Sequence, residues 1–79
     1  MEKLWRIKAR VPQRDIFYVS WTIDSYDGIG FVRTDDPEEG FLSVFTTKGF
    51  REEVLGLLRA FEAEGIPVEV LGEEEVDAL

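Results

Sequence analysis

The sequence contains no histidine, no cysteine and no asparagine among its 79 residues. Histidine and cysteine are the side chains that most often supply nucleophiles, transition-metal ligands and acid–base groups near neutral pH. An enzyme built on this chain would have to rely on carboxylates, arginine, tyrosine or serine, with help from a metal ion. We therefore predict no catalytic residues, no metal site and no cofactor, and we expect a protein that binds rather than catalyses.

The absence of cysteine also excludes a disulfide framework. No apolar run approaches the ~18 residues of a membrane-spanning helix, and residues 1–6 contain no apolar signal core. We therefore expect a single cytoplasmic domain without a membrane partner. The chain has one methionine and one glutamine, and 33% of its residues are charged, which is typical of proteins from thermophiles.

Charge is distributed unevenly along the chain. Residues 1–14 carry five bases and one acid, whereas residues 15–79 carry four bases and sixteen acids, and the net charge is −8. A protein this acidic repels nucleic acids and anionic membranes as a whole. The basic amino-terminal segment is the local exception.

The first part of the chain predicts a strand followed by a helix. Apolar and polar residues alternate over residues 5–11, which indicates a half-buried strand with bases on its polar face, and Pro12 ends it. Residues 15–26 combine helical spacing of apolar side chains with many strand-forming residues. We favour a helix here because it completes a common fold. A strand followed by a hairpin turn at Asp27-Gly28 is the alternative.

Two strands and a second helix come next. Residues 29–34 and 41–46 each predict a strand, and the polar residues between them predict a turn. An apolar stripe over residues 50–61 predicts the second helix, which Gly65 ends.

The last part of the chain predicts a strand and a tail. Residues 66–71 form an alternating pattern with Val70 facing the core, and the acidic residues 72–79 predict a mobile tail. One domain is therefore expected over residues 1–71. The order β-α-β-β-α-β predicts an α+β ferredoxin-like plait, in which a four-stranded antiparallel sheet carries two helices on one face.

The sheet face without helices is the first candidate surface. The first and third strands are central in this plait, so the face displays Arg6, Lys8 and Arg10 beside Phe41 and Phe45. We expect the phenylalanines to pack against a second copy in a homodimer. RNA binding is the alternative, because the RNA-recognition motif holds bases with basic and aromatic side chains on this face. The net acidity of the chain favours the homodimer.

The loop after the first strand is the second candidate site. The amino end of the first helix offers free N–H groups and a favourable field for anions. Arg10 and Arg14 add positive charge there. We predict that a small anion, carboxylate or phosphate, contacts one of these arginines and the backbone from Gln13 to Asp15. The alternative is that Arg14 pairs with a nearby acid.

The predicted order of strands and helices is similar to that of the ACT domain, a regulatory plait that binds amino acids. This chain has Pro12-Gln13-Arg14 in the first loop, where ACT domains carry a glycine. A closer resemblance rests on short segments of residues 5–71, namely Tyr26-Asp27-Gly28, Val32-Arg33-Thr34-Asp35, Phe50, Val54 and Leu57-Leu58. These segments resemble a small family of uncharacterised bacterial domains of unknown function. That resemblance implies no activity.

Overall fold

The protein is described by a computed structural model that covers residues 3–26 and 28–77. The elements, in chain order, are β1 (Lys3–Arg10), a 3₁₀ turn (Gln13–Asp15), α1 (Ile16–Ser25), β2 (Phe31–Asp36), β3 (Phe41–Thr46), a second 3₁₀ turn (Lys48–Phe50), α2 (Arg51–Ala63) and β4 (Glu69–Asp77). The strands form one antiparallel sheet in the order β2-β3-β1-β4. The predicted α+β ferredoxin-like plait is thereby confirmed. Asp27, which belongs to one of the segments that resemble the uncharacterised family, lies outside the described residues. Residues 78–79 of the predicted tail also lie outside them.

The core lies between the two helices and one face of the sheet. It is made of ten buried apolar side chains, namely Ile7, Val11, Val19, Ile23, Ile29, Leu42, Val44, Val54, Leu58 and Phe61. The residues between these positions on the strands point to the opposite face, because successive strand side chains alternate. Both helices therefore cover the same face, and the other face has no helix over it.

Residues 16–25 form a helix in spite of their strand-forming side chains, as predicted. Val19 and Ile23, one turn apart, are fully buried in the core, while Phe17 and Trp21 are 80% and 61% exposed. In a strand these four residues would share one face, since they are all an even number of positions apart. The helix separates them into a buried pair and an exposed pair. Tyr18 packs its ring edge-on against Phe61 of α2, with the centroids 5.8 Å apart.

The prediction of a mobile acidic tail was wrong for residues 72–77, which belong to β4 and pair with β1. The physical reason is that the acids have basic partners. Glu73 accepts hydrogen bonds from Arg51 Nε at 2.5 Å and from Trp5 Nε1 at 2.7 Å. The hydrogen bond from Arg51, followed by that from Trp5, holds the pKa of the Glu73 carboxyl below its ordinary value although partial burial opposes this. The domain therefore extends through Asp77.

The beginning of the last strand also differs from the prediction. β4 starts at Glu69, and Ile66 and Val68 pack partly against the core from the preceding segment. Val70, predicted to face the core, is 45% exposed. Val70 pairs with the buried Ala9 and therefore lies on the predicted side of the sheet, but β4 is an edge strand, so this side chain is only partly covered. A bulge between the partners of Ala9 and Lys8 follows Val70.

Candidate functional site

The sheet face without helices, which we call the open face, gathers side chains from all four strands. Its members are Leu4, Arg6, Lys8 and Arg10 of β1, Phe31, Arg33 and Asp35 of β2, Phe41, Ser43 and Phe45 of β3, and Glu74 and Val76 of β4. The register thus brings together the bases and phenylalanines that the sequence places on this face. It also adds residues of both edge strands, which the sequence analysis did not include.

Asp35 holds two arginines of the open face in place. Its carboxylate accepts a hydrogen bond from Arg33 Nε at 2.8 Å, lies 3.4 Å from Arg6 Nη2, and accepts from the Ser43 hydroxyl at 2.5 Å. Partial burial alone would raise the pKa of Asp35. The hydrogen bonds from Ser43 and Arg33, with the charges of both arginines, outweigh burial and lower this pKa. Arg6 also donates to Ser43 Oγ at 2.8 Å and to Glu74 Oε2 at 3.1 Å.

The other two bases that β1 presents on the open face are also paired with acids. Lys8 Nζ lies 3.9 Å from Glu74 Oε2, and Arg10 donates to the carbonyl of Glu39 at 2.9 Å and to its carboxylate at 3.2 Å. The Arg10 guanidinium also lies over the Phe41 ring, 5.3 Å from its centroid. A phosphate backbone would have to compete with these carboxylates, so the face offers less positive charge to RNA than the sequence suggests.

Phe45 is covered by its neighbours and is only 9% exposed. Its ring stacks on Phe31, with centroids 5.0 Å apart and planes at 18°. The guanidinium carbons of Arg33 and Arg6 lie 5.1 and 5.9 Å from the centroid of Phe45. Arginine stems and guanidinium planes commonly cover aromatic rings in this way. Phe45 is therefore a structural ring, whereas Phe31, at 53% exposure, presents the free aromatic surface of the open face.

A groove of about 520 Å³ lies at the end of the open face where β1 begins and β4 ends. Its apolar walls come from Leu4, Phe31, Phe45 and Val76. Arg6, Arg33 and Asp77 also line the groove, and Asp77 is paired with Lys3. The two arginines differ in the hydrogen-bond donors that they can offer to a ligand. Arg6 uses Nε and both Nη atoms for hydrogen bonds within the protein. Arg33 donates through Nε alone, and neither of its Nη atoms has a hydrogen-bond partner among residues 3–26 and 28–77.

The predicted anion site of the first loop is only partly assembled. Arg10 and Gln13 line a groove of about 450 Å³ together with four glutamates, Glu38, Glu39, Glu62 and Glu69. Arg14 does not line this groove. Its side chain is 84% exposed, and its Nε lies 3.9 Å from Asp15 Oδ2, which corresponds to the alternative in which Arg14 pairs with a nearby acid. The four carboxylates disfavour an anion here, and binding at this loop stays a prediction.

The outer surface of α1 is a feature that the sequence analysis missed. Phe17 and Trp21, four residues apart, lie on one side of the helix and are the two most exposed of the large apolar side chains in the described part of the chain. α1 contains one charged residue among ten, Asp24, whereas α2 contains five among thirteen. The spacing of the two rings, opposite the buried Val19 and Ile23, is the signal that would have predicted this surface.

Neither a metal-binding cluster of acids nor a membrane-spanning helix occurs among the described residues. Across residues 3–26 and 28–77, acidic side chains form no cluster of three or more arranged to hold a metal ion. No helix in the same residues combines the length and apolar character needed to cross a membrane.

Residues 9–64 match a protein family described as Domain of unknown function (DUF4911). The match covers more than half of the chain, so the chain belongs to this family. The resemblance to an uncharacterised domain family is thereby confirmed. No curated protein matches the chain.

Proposed function

We propose that this member of a family without an assigned function is a non-catalytic, ACT-like module that binds a small organic anion with an apolar body. The ligand lies in the groove of the open face. The observation that carries the proposal is that Arg33 lines a largely apolar groove while its Nη atoms have no hydrogen-bond partner among the described residues. The protein thus supplies a cation and an apolar surface side by side.

The chemistry of Arg33 favours a carboxylate. Two parallel N–H groups of a guanidinium match the two oxygens of a carboxylate, and Asp35 already fixes the plane of Arg33 through Nε. The adjacent ring of Phe31 is half-exposed and offers a flat surface for an apolar group. The groove volume of about 520 Å³ falls within the range of roughly 300–1,000 Å³ found for small-molecule sites.

Charge balance excludes a purely electrostatic mode of binding. The positive charges of Arg6 and Arg33 are offset by the carboxylates of Asp35 and Glu74, which lie within 3.5 Å of one or both. An inorganic anion would gain little from a site that is nearly neutral. The ligand therefore needs apolar contact with the groove as well as a carboxylate.

The test is an NMR titration of the ¹⁵N-labelled protein with three probes. Indole-3-acetate has a ring and a carboxylate, indole-3-acetamide has the ring alone, and acetate has the carboxylate alone. We expect only indole-3-acetate to bind, with a dissociation constant on the order of 1 mM or tighter and with shifts at Leu4, Phe31, Arg33 and Val76. Equal shifts from the amide would contradict a role for Arg33. Shifts confined to residues 10–16 would favour the loop site instead.

A matched pair of variants identifies the cation. Arg33→Gln removes the free guanidinium, and we expect it to weaken indole-3-acetate at least tenfold, which corresponds to about 1.4 kcal/mol. Arg59→Gln removes the same charge from the exposed surface of α2 and should leave binding unchanged. Equal weakening by both variants would show that net charge, not the groove, controls binding.

RNA binding through the open face is the competing function. Its support is the exposed ring of Phe31 beside Arg33, since a base can stack on such a ring. Fluorescence anisotropy with a pool of labelled single-stranded oligonucleotides at low salt separates the two. We expect no binding, and salt-sensitive binding that Phe31→Ala abolishes would replace the small-anion proposal.

We also propose that the module works as a homodimer in the bacterial cytoplasm. The absence of cysteine suits a reducing compartment but does not require one. A domain of 79 residues buries a limited core, so burial of further apolar surface between two copies adds useful stability.

A further inference from the structure

We propose that two copies of the chain associate through the outer surface of α1, with their α1 helices antiparallel about a two-fold axis at Val19. This inference rests on the proposed homodimer and locates its interface. It also moves that interface away from Phe41 and Phe45 of the open face, where the sequence analysis expected it.

The spacing of four residues predicts the line along which the two helices would touch, which we call the seam. Arg14, Phe17, Trp21 and Asp24 follow one another at intervals of three, four and three residues. This is the interval pattern of residues that face a second helix in two-helix packing. The four side chains are accessible to a second helix, because Phe17, Trp21 and Asp24 are exposed on α1 and the side chain of Arg14 is 84% exposed in the turn before it.

The same four residues are symmetric about one position. Phe17 and Trp21 lie two residues on either side of Val19, and Arg14 and Asp24 lie five residues on either side. An antiparallel pair centred there places Phe17 against the partner's Trp21. The same register places Arg14 against the partner's Asp24. One two-fold axis therefore satisfies an aromatic pair and an ion pair, each of which occurs twice.

The charges at the two ends are available for this contact. Asp24 uses Oδ1 to accept the backbone N–H of Val32 at 3.1 Å, which leaves Oδ2 to receive a guanidinium. Arg14 has only the weak contact with Asp15 at 3.9 Å among the described residues. The two ends of the seam thus carry charges of opposite sign. Arg14 and Asp24 are ten residues apart, which corresponds to about 15 Å at 1.5 Å per residue.

Net charge explains why α1 is favoured over the free edge of β4. Two copies that each carry a charge of −8 repel one another, and the repulsion is smallest where the contact is uncharged or self-complementary. The free edge of β4 carries Glu73, Glu74 and Glu75 in succession, and pairing two such edges would bring acids together. The proposed contact surface carries one acid, Asp24 of α1, and one base, Arg14 of the turn before α1, at opposite ends.

The area of the contact predicts a weak dimer. At roughly 150–250 Å² per aromatic side chain, the exposed parts of Phe17 and Trp21 supply about 300 Å² per copy. With flanking residues the total stays below the ~1,600 Å² of a standard interface. We therefore expect a dissociation constant on the order of 10 μM, with monomer and dimer in measurable exchange.

Sedimentation equilibrium between 1 and 300 μM tests the inference with two matched variants. Trp21→Glu places an acid at the centre of the seam, and we expect it to weaken the dimer at least about 100-fold, because the two-fold axis makes each substitution count twice. Phe31→Glu places an acid at an exposed ring of the open face and should leave the dimer as strong as in the wild type. The reverse result, loss with Phe31→Glu and retention with Trp21→Glu, would move the interface to the open face.

A charge exchange tests the register. Arg14→Asp and Asp24→Arg each place like charges together, and we expect each to weaken the dimer about tenfold. The double variant should return to within about twofold of the wild type. Thermal unfolding of each variant as dilute monomer checks that the fold is retained. Additive weakening in the double variant would overturn the antiparallel register.

The outcomes separate this inference from the binding proposal. A wild-type protein that remains monomeric at 300 μM would overturn both the homodimer and its interface, while binding of indole-3-acetate to the groove would be unaffected. A wild-type dimer that withstands Trp21→Glu would overturn the interface on α1 alone. In turn, failure of indole-3-acetate to bind would leave the α1 interface standing.

Discussion

The open face of the sheet and the outer surface of α1 lie on opposite sides of the molecule, and they hold their aromatic rings in different ways. On the open face, Phe45 is covered by Phe31 and by the guanidinium groups of two arginines. On α1, Phe17 and Trp21 are 80% and 61% exposed. The difference shows that a ring on a surface becomes part of the fold where long cationic side chains can lie over it. A ring without such neighbours is available to another molecule.

The largest expected effect comes from removing most of β4, the edge strand beside β1. Truncation after Leu71 deletes most of β4, including Glu73 and Glu74, and leaves residues 3–8 of β1 unpaired on that side. We expect a loss of more than about 4 kcal/mol, most of the stability of a domain this small, and therefore no cooperative transition in urea. Near-UV circular dichroism measures the remaining tertiary structure. A truncated chain that unfolds at the wild-type midpoint would restore the interpretation of residues 72–79 as a tail.

The second prediction compares one ring from each surface. Phe45→Ala removes a buried ring together with its stacking on Phe31, and we expect a loss of about 3 kcal/mol in the free energy of unfolding. Phe17→Ala removes an exposed ring and should change that free energy by less than about 0.5 kcal/mol in dilute protein. Urea unfolding at 1 μM, where the proposed dimer is dissociated, measures both. Equal losses would remove the distinction between the surfaces.

The third prediction concerns the carboxylate that organises the open face. Asp35→Asn weakens the hydrogen bonds and charge interactions that Asp35 makes with Ser43, Arg33 and Arg6, and we expect a loss of about 1–2 kcal/mol. Glu53→Gln removes a carboxylate from the exposed side of α2 and is the control for charge alone. Denaturant titration of both variants measures the difference. A control variant as unstable as Asp35→Asn would show that the local network does not matter.

The smallest expected effect is the pH dependence of the same network. The pKa values of Asp35 and Glu73 are lowered in the folded protein, while the unfolded chain has ordinary values of about 4. A lowered pKa stabilises the fold above the unfolded value, and this stabilisation is lost as the pH falls through the folded value. The free energy of unfolding should therefore be flat from pH 7 to about 5 and decline below about 4. Asp35→Asn with Glu73→Gln should reduce this decline, and an unchanged slope would contradict the assignment.

The fold could be predicted from the sequence because its apolar patterns are local and regular. The alternation in β1 and the stripe in α2 correspond to elements of the structure, and α1 is a helix as expected. Residues 72–77 were predicted to form a solvated tail because the sequence does not show which residues pair with their acids. Those partners are distant in sequence: Trp5 and Arg6 meet the acids through the pairing of β1 with β4, and Arg51 meets Glu73 through the packing of α2 beside β4.

The candidate site was harder to predict for the same reason. The sequence places Arg6, Phe41 and Phe45 on the open face, but it does not show which rings are covered or which guanidinium groups are already bonded. These properties depend on contacts between strands, such as the stacking of Phe31 on Phe45. The exposed rings of α1 were within reach of sequence analysis, because Phe17 and Trp21 lie opposite the buried stripe of the same helix.

The most direct test of the contrast between the two surfaces follows the two tryptophans of the chain in one experiment. The indole N–H of Trp5 is bonded to Glu73 inside the protein, whereas Trp21 lies exposed on α1. Indole and backbone-amide ¹H–¹⁵N correlations are recorded while the wild-type protein is diluted from about 500 to 5 μM, a range that spans the expected dissociation constant. We predict that the Trp21 signal moves with concentration and the Trp5 signal does not. A Trp21 signal that stays fixed while signals of Phe31 and Arg33 move would contradict the assignment of α1 to self-association and of the open face to ligand binding.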